Sequence, residues 1–318
     1  MIGMMSSRFS WIGRLAISSL RAILHHRIQK PGRNEQPAIS QPDASANAGG
    51  ASGLHSGVTA PAWVRCTLSG KPMGQGLRQP IVFAVLAVVA YALSKLLRCR
   101  VTHVACVHTT GRAWCPLVPV AISLAGFTAL ALWAPPGHQD FQRGLLVLTF
   151  WQGLGFLIYV LPAGLAMLQA GDSLGSAGVG RHNLWQACMM GLILGSLWCV
   201  AGPPGQKLAH LSQGGWEWSL LFLALFGLGE EFLYRGYLQS RLIARIGTWR
   251  GWALASLVFA ASHFPHRLLY QGLGPGAALA ATVDVVPCAL ALGFIMLRAQ
   301  NILAPAIFHA VINFWGGL

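Results

Sequence analysis

Two adjacent carboxylates, Glu230 and Glu231, interrupt the apolar run that extends from Trp218 to Arg235. An ionisable side chain inside an apolar segment of membrane length is costly to desolvate and by default marks a functional site. The chain has only eight acidic residues, so two side by side in such a segment require a physical reason. Two more patterns follow: Phe259-Ala-Ala-Ser-His263 and His309-Ala-Val-Ile-Asn313. On helices, Glu231 and Arg235 are i, i+4 and can meet as an ion pair, and His309 and Asn313 project from one face. Carboxylates, imidazoles and a carboxamide at membrane depth have three kinds of chemistry open to them: acid–base catalysis, metal ligation by a His/His/Glu set, or an ion path. Taken singly, His263, His309 and Asn313 read equally as interhelical hydrogen-bonding groups. Glu230 does not, because Arg235 can neutralise only one of the two carboxylates.

The elements that must position these groups are membrane helices. The chain of 318 residues is 54% apolar and 9% charged, where a soluble domain carries about a quarter charged residues. Apolar runs recur from residue 80 onward, at 80–97, 116–133, 144–169, 184–200, 217–237, 251–264, 276–298 and 302–317. The reading is all-α: a polytopic transmembrane helical bundle of about seven or eight spans, several of them short of the ~20 residues an upright helix needs. Residues 1–30 form an amphipathic basic helix in this reading, with Arg14, Ser18, Arg21 and His25 on one face and Trp11, Ile12, Leu15, Ala16 and Leu20 on the other. Residues 31–79 are rich in Pro, Gly, Ala, Ser, Asn and Gln and read as a disordered linker. Residues 80–318 are the membrane domain, with the chemistry-bearing motifs in 217–318.

The net charge of +14 does not indicate nucleic acid, because nine of the 22 basic residues precede residue 80 and most others flank apolar runs. Basic residues beside spans set topology, and their distribution places Arg98, Arg241, Arg245, Arg250 and Arg298 on the cytoplasmic side. The cysteines form no C-x-x-C pair and match no zinc spacing. Depth offers an independent check on the motifs. With Trp218 as an interfacial anchor, Glu230 lies ~18 Å into the bilayer at the α-helical rise, or ~12 Å from the opposite surface. His309 lies ~10 Å and His263 ~15–20 Å from that same surface, so the polar groups share one broad layer.

Taken together, the patterns Glu230-Glu-x-x-x-Arg235, Phe259-x-x-x-His263 and His309-x-x-x-Asn313 resemble the CAAX protease and bacteriocin-processing family, also called the Abi family. The resemblance covers residues 217–318. It implies a glutamate-dependent intramembrane endopeptidase of a bacterial inner membrane, with a membrane-associated protein or peptide, lipidated or not, as substrate. It also implies roles: Glu230 as the base that activates water, His263 holding that water, and His309 and Asn313 donating to the oxyanion. Glu231 and Arg235 would give structural and electrostatic support, and no cofactor is required. Tyr234 occupies a position where the family often has phenylalanine. Asp284 belongs to none of the motifs. Two alternatives accompany this expectation: a zinc metalloprotease using His263, His309 and a glutamate, and a non-enzymatic immunity or transport protein.

Overall fold

The computed structural model describes residues 78–100, 116–133, 145–201 and 223–314. All of these lie in the second of two units, Ala60–Leu318. The basic helix expected at 1–30 and nearly all of the linker expected at 31–79 fall outside the described residues. Within them the chain is helical, and no strand occurs among the described residues. The helices are α1 (Arg78–Leu96), α2 (Leu117–Trp133), α3 (Leu145–Ala170) and α4 (Leu184–Ala201). After them come two π-helical segments, Leu223–Glu230 and Phe232–Gln239, which continue into α5 (Ser240–Ile246). The rest are α6 (Thr248–Pro265), a π-helical segment His266–Tyr270, α7 (Pro275–Val283), α8 (Val286–Ala299) and α9 (Leu303–Phe314), with a 3₁₀ turn at Leu174–Ala177 between α3 and α4.

Segments Gln79–Leu96, Thr149–Ala170 and Pro275–Ala299 are long and apolar enough to cross a membrane, and Leu117–Leu130, Leu184–Val200 and Leu303–Asn313 are shorter apolar helices. The outward faces of α1 and α3 are apolar as well: Ile81, Val85 and Val88 on one, Leu157, Leu161, Leu165 and Leu168 on the other, all exposed. Helices apolar on every side are at home in lipid, where the driving force to hide a single stripe is absent. The expected span 276–298 is broken between α7 and α8 at Asp284 and Val285. Pro287 stands in the first turn of α8, where its missing N–H costs nothing but where it disfavours continuous helix from before it. Asp284 at this break is exposed.

The motif at 230–235 lies on π-helix rather than on the α-helix that its spacing suggests. The wider turns advance less per residue than the α-helical rise over Leu223–Glu230. Such wide turns are frequent at functional sites, because they redirect side chains that an α-helix would face elsewhere. Phe232, Leu233, Tyr234, Tyr237 and Leu238 are all buried here, in a core shared with Val120, Met167 and Phe259. A second core unites Phe83, Met190, Leu194, Leu292, Ile295, Phe308 and Ile312 from α1, α4, α8 and α9. Helices α4 and α9 approach closely because Gly191 and Gly195 form a small-x3-small stripe: a Cβ on Gly191 would stand 2.8 Å from Ile307 Cβ and 2.9 Å from the Ala304 carbonyl oxygen.

Helix α3 carries Pro162, which cannot donate to the carbonyl of Ile158 four residues earlier. That carbonyl accepts instead from Ser123 Oγ of α2 at 2.8 Å. In lipid an orphaned carbonyl has no water to turn to, so the serine fixes α2 against α3 at this level. Just beyond the C-terminal end of α3, Asp172 pairs with Arg241 of α5, and the Arg241 guanidinium also lies over the Tyr237 ring at 4.2 Å.

Candidate active site

Glu230 and Glu231 are both buried, and they face different partners. Glu231 meets Arg235 Nη1 at 3.3 Å through Oε1, the i, i+4 pairing that the spacing suggests. The same Oε1 accepts a hydrogen bond from His309 Nδ1 at 2.8 Å. Arg235 also donates through Nη2 to the Ala289 carbonyl at 3.3 Å and stacks its guanidinium over the Phe259 ring at 3.9 Å. A guanidinium held by carboxylate, carbonyl and ring together offsets much of the cost of burying its charge.

Glu230 occupies the other side of His309. Its Oε1 accepts from the Tyr159 hydroxyl of α3, and its Oε2 lies 3.8 Å from His309 Nε2. A carboxylate only accepts, so the Nδ1 hydrogen of His309 is committed to Glu231 and Nε2 is the ring nitrogen that faces Glu230. At 3.8 Å the two groups are too far apart for a direct hydrogen bond, yet a third atom could touch both.

His263 is partly buried on α6, and its Nδ1 donates to the Phe259 carbonyl at 2.9 Å, which leaves its Nε2 available. The Phe259 ring packs edge-on against His263 (centroids 4.8 Å apart), His309 (5.8 Å) and Tyr234 (5.0 Å). The phenylalanine of the Phe259-x-x-x-His263 pattern is therefore the wall shared by both histidines and Arg235. Asn313 lies one turn beyond His309 on α9 and is partly exposed, outside the hydrogen-bonded network of the two glutamates. The fold thus brings Glu230, Glu231, Arg235 and His309 into one network, sets His263 beside it across Phe259, and leaves Asn313 at its edge.

Sequence reasoning missed Tyr159. The available signal was a phenol in the middle of an apolar helix, three residues before Pro162. Asp284 stands within electrostatic reach of Arg267, which lies one turn beyond His263. Among the described residues, no group of three or more His, Cys, Asp or Glu is arranged to hold a metal ion.

A buried pair of carboxylates thus lies with two histidines and an arginine among apolar helices. Residues 212–315 match the family model described as Rce1-like, type II CAAX prenyl endopeptidase, and over this segment the resemblance carried by the three motifs is shown. No curated protein and no solved structure matches the chain. The match and the apolar helices support a membrane protease, a hydrolase acting on peptide or protein substrates.

Proposed function

We propose that the protein is a multi-pass intramembrane endopeptidase of a bacterial inner membrane and that Glu230 activates the attacking water. The observation that carries the reading is the position of the Glu230 carboxylate: buried, facing His309 Nε2 across 3.8 Å, with no arginine or lysine paired to it among the described residues. In this scheme Glu230 takes a proton from water while the oxygen attacks the scissile carbonyl, and the same proton then passes to the leaving amine. His263 holds the water through its free Nε2. With Nδ1 held by Glu231, His309 turns Nε2 toward the oxyanion and donates to it as the imidazolium. Asn313, one turn further along α9, supplies the second donor from the partly exposed edge. Arg235 holds Glu231 in place.

The substrate in this reading is a membrane-associated protein or peptide, with a prenylated C-terminal tail the first to try. The test compares protein termini in cells carrying the wild-type chain and Glu230→Gln. Neo-termini present only with the wild type are expected, and identical termini in both strains would remove the peptidase reading. Cleavage that persists in chelator would in turn eliminate a zinc-dependent mechanism.

A further inference from the structure

Tyr159 comes from α3, outside the segment matched by the family model. Its ring and backbone are nonetheless held from three directions. Phe127 of α2 packs against the ring with centroids 4.2 Å apart. The preceding carbonyl, that of Ile158, is released by Pro162 and clamped by Ser123. Gly229, next to Glu230, lets α3 close in: a Cβ there would stand 3.2 Å from Phe156 Cδ2, 3.4 Å from Tyr159 Cδ2 and 3.6 Å from Tyr159 Cβ. A phenol held this firmly with its hydroxyl on one oxygen of a buried carboxylate leaves that carboxylate a single orientation.

We propose that Tyr159 is a positioning residue of the active site: its hydroxyl occupies Glu230 Oε1 and so directs Oε2, the proton-accepting oxygen, toward His309. The consequence for turnover rests on the peptidase reading above; the coupling between Tyr159 and Glu230 does not. Because α3 lies outside the family-matched segment, a helix beyond that segment would set the orientation of the base.

The test uses the full chain in lipid vesicles. Tyr159→Phe keeps the ring and its contact with Phe127 and removes only the oxygen. The infrared carboxyl signal that Glu230→Gln abolishes is assigned to Glu230 and followed through a pH titration. A donor on a carboxylate oxygen perturbs both its stretching frequency and its proton exchange, so Tyr159→Phe is expected to shift the Glu230 carboxyl band and its titration relative to wild type. With a quenched farnesylated peptide ending in a CAAX sequence as probe, kcat should fall about tenfold while KM stays within twofold. An unchanged Glu230 signal and titration in Tyr159→Phe would overturn the proposal. If the signal shifts but the wild type releases no neo-termini in cells, the coupling stands and the peptidase reading falls. Should Tyr159→Phe not fold, the reciprocal measurement decides. The tyrosine C–O vibration must shift in Glu230→Ala, which removes the acceptor, relative to wild type, and its constancy would refute the contact.

Discussion

His309 donates its Nδ1 hydrogen to Glu231 Oε1 at 2.8 Å, and this turns its other nitrogen toward Glu230 Oε2, 3.8 Å away. Two carboxylates adjacent in sequence thereby face opposite nitrogens of a single imidazole. Glu231 Oε1 is held by both His309 and Arg235 while its Oε2 is buried without a hydrogen-bond partner, and Glu230 presents Oε2 toward His309.

Glu231→Gln tests this division. The amide cannot compensate Arg235, which stays buried with its charge, so unfolding in detergent should be easier by about 3–5 kcal/mol. Restoring neutrality with Glu231→Gln/Arg235→Met should recover a large part of that stability. Turnover should stay low in the double variant, because His309 then lacks the carboxylate that fixes its ring. Thermal unfolding and cleavage of the farnesylated peptide, measured on the same samples, separate the two effects.

Glu230→Gln should leave stability near wild type, since the amide oxygen can still accept from Tyr159. Cleavage should drop by about 10²–10⁴-fold, the usual contribution of a positioned base. A variant that retains more than a tenth of wild-type turnover would remove Glu230 from that role.

Ser123→Ala leaves the Ile158 carbonyl without its donor beside Pro162. The expected cost is about 1–3 kcal/mol of stability, the penalty for a buried acceptor left unmade. Because the same turn carries Tyr159, kcat should also fall, by less than in Tyr159→Phe. An unfolding curve and turnover both matching the wild type would show that the clamp is idle.

Gly191→Ala and Gly195→Ala probe the seat of His309 through the α4–α9 contact. At Gly195 the nearest atoms belong to the Val311 side chain, at 3.0 Å, so Gly195→Ala should be mild and rescued by Val311→Ala. At Gly191 a backbone oxygen stands 2.9 Å away, and no side-chain truncation removes it. Gly191→Ala should therefore cost about 1–3 kcal/mol, with Ile307→Ala giving only partial relief. Full rescue by Ile307→Ala would contradict the backbone contact.

Much of the bundle was legible in the sequence because membrane helices write themselves as uninterrupted apolar runs, and lipid permits no other backbone at that depth without protein around it. The runs at 80–97, 116–133, 144–169 and 184–200 correspond closely to α1 through α4. The Glu231–Arg235 pair was legible for a local reason, since residues four apart on a helix are neighbours whatever the rest of the chain does. Glu230, His263, His309 and Asn313 could be named as candidates because polar groups in apolar runs are few. Which of them touch depended on contacts 70 or more residues apart in the chain, and no local period encodes those. Only the tertiary structure put His309 between the two glutamates, made Phe259 a wall common to both histidines, and placed Asn313 at the edge. It alone introduced Tyr159, whose reach to Glu230 requires a proline-released carbonyl in α3, a serine in α2 and a glycine beside the glutamate to coincide in space. Spacing along one helix is set by the backbone, and the sequence suffices for it; contact between helices is set by which side chains leave room, and that is decided only when they pack.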